Sequence, residues 1–346
     1  MKKFKKLTAL LLAGLMALSM TACGSGGQTT TADTSGDTAE TTTESTEPER
    51  YAVIMGVNQL EFFDALKAGV CDAATELGAS WYYAGSQDLS PEEVSEAIDQ
   101  AVAQGVTGIV VHGQFQETGA AIDNAIAAGV PVICVNTDIE SDRLSFLGCD
   151  PYNTGVQMAQ TMAELINGEG KIIISNYISG GQPSAIQNME GCRDELEANW
   201  PNIEIVAEVD DKADETTAAT AVGAALQANP DVVGIIGMQA PSAVGAATAV
   251  REAGLKGITI VGRDRDAATL ELIEDGEVAA SFAQNSYVEG YIAVQWLHDY
   301  INGNLKVTSN YLEAGIHPLP DTVDSGSIII TKDNVEQFKE KYVYQQ

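Results

Sequence analysis

The residues of this 346-residue chain that could do chemistry are amides, carboxylates and aromatics standing just after short apolar runs. After the first such run come Glu61, Phe62 and Phe63. His112 and Gln114 close the third, and Asn136, Thr137 and Asp138 follow the fourth. Later come Cys149, Asp150 and Asn153, then Asn176 and Tyr177, Gln239, the segment Arg263, Asp264 and Asp266, and Gln284 with Asn285. Asp and Asn accept from and donate to neighbouring hydroxyls, and aromatic faces cover the apolar C–H side of a ring. This set suits a neutral polyhydroxyl ligand. A site of buried hydrogen-bonding groups also discriminates, because a wrong ligand leaves them unpaired. The competing reading of each polar residue is a helix N-cap, and it weighs most on Asp138 and Asp266.

Other chemistries lack their residues. Three His and five Cys show no CxxC or HxxxH spacing, so no metal site and no cofactor are expected. There is no GxSxG, no HExxH and no Walker loop. Lys plus Arg is 18 against 49 Asp plus Glu, a net charge of −31. A nucleic-acid backbone is bound by clustered cations, so nucleic acid is excluded as a partner. An enzyme using paired carboxylates from Glu61, Asp138 and Asp264 is a rival reading, since acid–base work needs two carboxyls fixed about one bond.

The elements that must position these residues alternate. Runs at 52–57, 81–84, 108–112, 131–135 and 144–147 read as strands, and so do 171–175, 203–208, 232–237, 258–262 and 278–282. Helical patterns fill the gaps. Ser90 and Pro91 mark one helix start, and Gly78, Gly105, Gly129 and Gly254 stand where helices should stop. Such alternation predicts parallel sheets covered by helices. The run Gly108 to Val111, a helix, Ala128-Gly129 and a second run returns 126 residues later as Gly234 to Ile236, a helix, Ala253-Gly254 and another run. The expected fold is therefore α/β, two doubly wound parallel-sheet lobes joined by a three-segment hinge. Ligands of open α/β sheets sit beyond the carboxyl ends of the strands, which is where the polar residues stand.

The first fifty residues read differently. Lys2, Lys3, Lys5 and Lys6 precede an apolar run from Leu7 to Leu18, the pattern of an export signal over 1–22. Thr21-Ala22-Cys23 resembles a bacterial lipobox, which implies lipidation of Cys23 after cleavage and an extracytoplasmic, lipid-anchored protein. Loss of the four leader lysines takes the charge from −31 to −35. From Gln28 to Arg50 no large apolar residue occurs, so 23–50 reads as a lipidated, disordered tether. The remaining Cys71, Cys134, Cys149 and Cys192 lie in apolar contexts and read as buried free thiols.

From Tyr51 to Tyr342 the sequence resembles the type I periplasmic-binding-protein family, in particular the ribose- and galactose-type components of ABC importers. The resemblance rests on Phe62-Phe63 with Leu66 to Gly69, on Gly148 to Gly155, on Val261 to Asp264, on Ala283 to Asn285 and on Ile330 to Val335. It implies that Phe62 and Phe63 flank a sugar ring, and that His112, Asn136, Asp138, Gln239, Asp264 and Gln284 occupy ligand positions. Leu60, Ile186 to Asn188, and Lys212 to Asp214 depart from the family pattern, and Arg263 stands where an apolar residue is common. The implied lobes are 51–150 plus 285–312 and 151–284 plus 313–346, hinged near 149–153, 283–285 and 312–317. The implied partners are a sugar-like ligand and an ABC permease with a separate ATPase, with the chain a monomer that meets the membrane only through its lipid. A sensory receptor and a binder of nucleosides or cyclic polyols are the other readings of this fold. A repressor of the same fold would carry a helix-turn-helix where this chain has its leader.

Overall fold

The computed structural model describes residues 48–58, 60–310 and 314–345. The expected leader, Cys23 and the tether up to residue 47 lie outside the described residues, as does Gln59. Among the described residues no helix is long and apolar enough to cross a membrane.

The first sheet contains β1 (Arg50–Met55), β2 (Ser80–Gly85), β3 (Gly108–His112), β4 (Val132–Val135), β5 (Ser145–Gly148) and β11 (Thr322–Asp324), in the order β11-β5-β4-β3-β1-β2. The second contains β6 (Gly170–Asn176), β7 (Ile203–Asp210), β8 (Val232–Gly237), β9 (Thr259–Arg263), β10 (Ala280–Gln284) and β12 (Ser327–Thr331), in the matching order β12-β10-β9-β8-β6-β7. The strand pairs are parallel except β10 with β12. Two doubly wound α/β lobes are therefore present.

Strand alternation explains the layers. In β1, Tyr51, Val53 and Met55 enter a core with Leu66 and Val70 of α1 (Asp64–Leu77) and Leu297 of α9 (Ser286–Ile301). Ala52 and Ile54 enter the opposite core with Ile98 of α2 (Pro91–Ala103) and Ile122 of α3 (Gly119–Ala127). A period of two with both faces covered gives the near-continuous apolar run of a buried parallel strand. The second sheet repeats this. Ile172 and Ile174 face α4 (Pro151–Leu165) and α5 (Pro183–Asn199). Ile173 and Ile235 face α6 (Glu215–Ala228), α7 (Ala240–Glu252) and α8 (Ala267–Asp275).

The helix pairs carry the duplication further. A Cβ on Gly69 of α1 would lie 2.0 Å from the Tyr287 carbonyl oxygen, and one on Gly290 of α9 would lie 2.3 Å from that of Leu66. In the other lobe, Gly155 of α4 meets the Asn188 carbonyl at 2.0 Å, and Gly191 of α5 meets that of Tyr152 at 2.1 Å. Each pair packs backbone to backbone, which only glycine allows. Each also joins a helix of its own lobe to one delivered by the other lobe's strand: α4 follows β5, and α9 follows β10.

The third crossing differs from expectation. Thr322, Val323 and Asp324 pair with Phe146, Leu147 and Gly148 of β5, so the chain stays in the first lobe until Ser325 and Gly326. The crossing is there, not near 312–317. β11 has three residues and follows Pro318 and Pro320, so no strand pattern announced it. The assignment of 313–346 to the second lobe fails at its other end too, because Gln345 accepts hydrogen bonds from Cys71 and from Trp81 of the first lobe. Cys71, Cys134, Cys149 and Cys192 are free thiols; Cys71 is half-buried and the other three are buried.

Candidate functional site

The carboxyl edges of both sheets face the region where the chain crosses between lobes. Two residues hold the same place there. Asn136 follows β4 and Asp264 follows β9, and both take a left-handed backbone, φ 67° and 66°. Each donates its N–H to the neighbouring strand that leads to a crossing: Asn136 to the Leu147 carbonyl at 2.9 Å, and Asp264 to that of Phe282 at 3.0 Å. Asn and Asp tolerate this conformation better than other side-chain-bearing residues. Polar residues held in a sparsely populated backbone region cluster at ligand sites, and these two hold matched positions in the two lobes.

The site around them spans the lobes. The Asn136 amide donates to the Gln284 side-chain oxygen, so the first lobe is hydrogen-bonded to the end of β10. Asp264 lines a cavity of about 800 Å³ with Leu60, Phe62 and Asp64 from the first lobe and Ala240, Arg265 and Leu270 from the second. Such a volume is in the range of small-molecule sites. Burial pushes the Asp264 carboxyl pKa up, while the neighbouring Arg263 charge opposes the rise and Asp266 adds to it.

Phe62 and Phe63 divide their work. Phe63 is 2% exposed and sits in the α1 core, whereas Phe62 lines the cavity, and the two rings pack edge to face at 5.1 Å. Phe63 also packs its ring against His112, at 5.0 Å. His112 is buried and neither ring nitrogen has a hydrogen-bond partner. Burial pushes its pKa down to about 4, with the Asn136 side chain opposing the shift. A buried neutral imidazole with two unused positions can serve as both donor and acceptor. Of Glu61, only the place in the 3-10 turn Glu61–Phe63 is described.

Several expected positions are already engaged. Asp138 turns both oxygens to Arg143, each at 2.5 Å, and Arg143 also reaches Asp321 at 3.0 Å. Asp138 and Arg143 line a separate cavity of about 380 Å³ with Gln116 and Glu140, apart from the one that Asp264 lines. The Asp138 carboxylate is satisfied within its own lobe. Asp266 caps α8, accepting from the Thr269 N–H at 3.0 Å and hydroxyl at 2.9 Å. Asp150 caps α4 in the same way. Gln239 donates to Asn176 at 3.1 Å, and Asn176 donates to the Ala185 carbonyl at 3.0 Å, so this edge is held rigid inside the second lobe. Arg263 ends β9 opposite Phe282 of β10 and is half-buried.

The crossings meet around a buried carboxyl. Glu289, in the first turn of α9, is 1% exposed and accepts from the Ser325 hydroxyl at 2.8 Å, while its other oxygen has no partner. Asn285 reaches the Ser325 carbonyl and the Cys149 thiol donates to that of Gly326 at 2.8 Å, so all three crossings touch. Burial pushes the Glu289 pKa up to about 7; the Ser325 hydrogen bond opposes the rise and the Asp324 charge adds to it.

Sequence reading missed Arg265 and Tyr342 as cavity residues. Tyr342 lies 280 residues beyond Phe62, in a stretch without strand or helix periodicity, and only the folded path brings them together.

Two repeated α/β lobes, crossing strands and an inter-lobe cavity define a hinged binding protein. The chain belongs to the periplasmic binding protein family, whose domain model, described as "Periplasmic binding protein domain", matches residues 51–305. It is similar to a xylitol-binding protein of Mycolicibacterium smegmatis, 26% identical over 289 residues, covering 82% of this chain and 77% of the relative. Among solved structures it is similar to the sugar-binding protein of a sugar ABC transporter from Bacillus halodurans, with a TM-score of 0.79, 29% identity, and 84% and 99% of the two chains covered. It is also similar to an arabinose-binding protein from Geobacillus stearothermophilus, with a TM-score of 0.77, 28% identity and the same coverages.

Proposed function

We propose that this chain is a solute-binding lipoprotein that captures a sugar or polyol between its lobes and delivers it to an ABC permease. The observation that carries the reading is the cavity lined by Phe62 of one lobe and Asp264 of the other. The aromatic covers the C–H side of a ligand, and the carboxylate accepts from two hydroxyls. Asn136 and Gln284, hydrogen-bonded to each other across the lobes, and the unpartnered His112 supply further donors and acceptors in this reading. Arg263 adds a cation next to Asp264 and makes their local charge neutral, which favours an uncharged ligand. The named relatives bind xylitol and arabinose, which supports a pentose or pentitol.

Ligand that touches both lobes favours the closed state by the contacts it makes only there. The leader pattern ending at Cys23 supports a lipid anchor and an extracytoplasmic place. No nucleotide loop occurs in the chain, so energy for uptake comes from a separate ATPase in this reading. The binding role needs no bond making, and Asp138, one of the carboxylates an enzyme reading required, is tied to Arg143.

Thermal melts of the leader-free chain against D-xylose, L-arabinose, D-ribose, xylitol, hexoses, inositols and nucleosides test this. A ligand at a hundred times its dissociation constant adds about 2.7 kcal/mol. One pentose or pentitol should raise the melting temperature by several degrees and be recovered intact. Turnover of that compound, or a shift by nucleosides alone, would overturn the reading.

A further inference from the structure

The segment 339–345 leaves the second lobe and ends on the first. At its start, Lys339 pairs with Glu274 of α8 at 2.5 Å. In its middle, the Tyr342 ring lies 4.9 Å from the Arg265 guanidinium and stacks on Tyr287 of α9, with centroids 6.5 Å apart and planes at 19°. Tyr287 stacks in turn on Tyr291 at 6.2 Å. Arg265 belongs to the second lobe and the two tyrosines of α9 to the first, so Tyr342 is the middle rung of a ladder that crosses between them. At the far end, the Tyr344 hydroxyl donates to Asp64 at 3.0 Å and its ring packs beside Trp81. Trp81 donates its indole N–H to the Gln345 carbonyl at 3.1 Å.

The same segment forms a wall of the candidate ligand cavity. Lys339, Glu340, Lys341 and Tyr342 line it together with Phe62 and Asp264. We infer that segment 339–345 is a strap that ties the two lobes independently of the three crossings and makes Tyr342 part of the ligand cleft. Opening the lobes moves Arg265 away from Tyr287, and Tyr342 must then leave one or the other. Stacking and cation–π contacts of this kind are individually modest, so the strap can release without unfolding either lobe. Ligand held behind Tyr342 leaves only when the strap yields. The tie between lobes stands by itself; the ligand-facing role of Tyr342 rests on the sugar-binding reading above.

Tyr342→Ala, Tyr344→Ala and a control, Leu255→Ala in the exposed turn after α7, test it. Small-angle scattering of the ligand-free proteins reads lobe opening. Tyr342→Ala and Tyr344→Ala should have a larger radius of gyration than wild type, and Leu255→Ala should not. In a Trp200→Phe, Trp296→Phe background, Tyr344→Ala should also red-shift the emission of Trp81, which reports that the far end has come away while the fold persists. With whichever of D-xylose, L-arabinose, D-ribose or xylitol binds wild type, stopped-flow dissociation from Tyr342→Ala should be faster by about tenfold, because contact changes act mainly on release. Scattering and release unchanged in both strap variants would overturn the inference. If no sugar or polyol of the melt panel binds wild type, the sugar reading fails, and scattering alone decides the strap.

Discussion

Two buried titratable groups should pull the pH dependence of stability in opposite directions, and removing either should expose the other. Glu289 is held near pKa 7 against an ordinary 4.5. Below pH 4.5 it is protonated both folded and unfolded and has no effect. Between 4.5 and 7 the folded state keeps a proton that the unfolded state has lost, so stability falls as pH rises. Above 7 the full cost is present, about 3 kcal/mol for a shift of this size. His112 runs the other way. Its pKa falls from 6.5 to about 4 on folding, so the unfolded state binds the extra proton between those values. Stability then rises with pH across that window, again by about 3 kcal/mol. The two slopes overlap from pH 4.5 to 6.5 and largely cancel in wild type.

Glu289→Gln imitates the protonated carboxyl at every pH. Its stability relative to wild type should be unchanged at pH 4.5 and should climb to a plateau of about 3 kcal/mol above pH 7. The expected gain in melting temperature at pH 8 is roughly 5 °C. Against pH alone, Glu289→Gln should show the rising slope of His112, and His112→Gln the falling slope of Glu289. Urea midpoints at pH 4.5, 5.5, 6.5 and 7.5 measure all three proteins. A constant difference between Glu289→Gln and wild type across this range would refute the argument, because it would mean that the carboxyl at the crossings ionises as an exposed one does.

Other substitutions separate site from scaffold. Asp264→Asn keeps the left-handed backbone acceptable, so calorimetric titration with the cognate sugar should show binding lost while the melt stays within about 1 kcal/mol of wild type. Asp138→Asn should leave ligand affinity unchanged in the same titration, because Arg143 already holds that carboxylate. Gly69→Ala places a methyl 2.0 Å from the Tyr287 carbonyl oxygen and should lower stability in urea by at least about 1–3 kcal/mol. Gly78→Ala meets no atom within 4 Å but keeps φ 65°, and should cost only about 1 kcal/mol.

The parallel strands were legible because both of their faces are buried. β3 and β8 begin and end where their apolar runs do. β12 is at a sheet edge with Ile329 exposed, and β11 is too short for periodicity, so both were missed. The polar residues after the strands were legible as a group but not in their separate roles. Asp138 and Asp264 each closely follow a strand, and sequence cannot say which carboxylate an arginine will satisfy. Arg143 stands five residues from Asp138 and bends back to it; Arg263 is adjacent to Asp264 yet continues the strand. Phe62 and Phe63 could be assigned one core and one cleft role, but only the 3-10 turn fixes which is which.

The matched left-handed residues suggest why this architecture suits a closing cleft. Asn136 and Asp264 each terminate a strand next to the one that leads to a crossing, and each is pinned to that neighbour through its own backbone N–H. Their side chains are thereby fixed to the hinge strands and not to mobile loops. Asn136 then reaches Gln284, the last residue before the second crossing, so a group in the ligand region is one hydrogen bond away from the hinge. Glu289 lies one helical turn beyond that crossing, against Ser325 of the third. A ligand that engages Asn136 or Gln284 competes for this inter-lobe bond. In the proposed binding role, capture would act directly on the strands that lead to the crossings, without a relay through the lobes' cores.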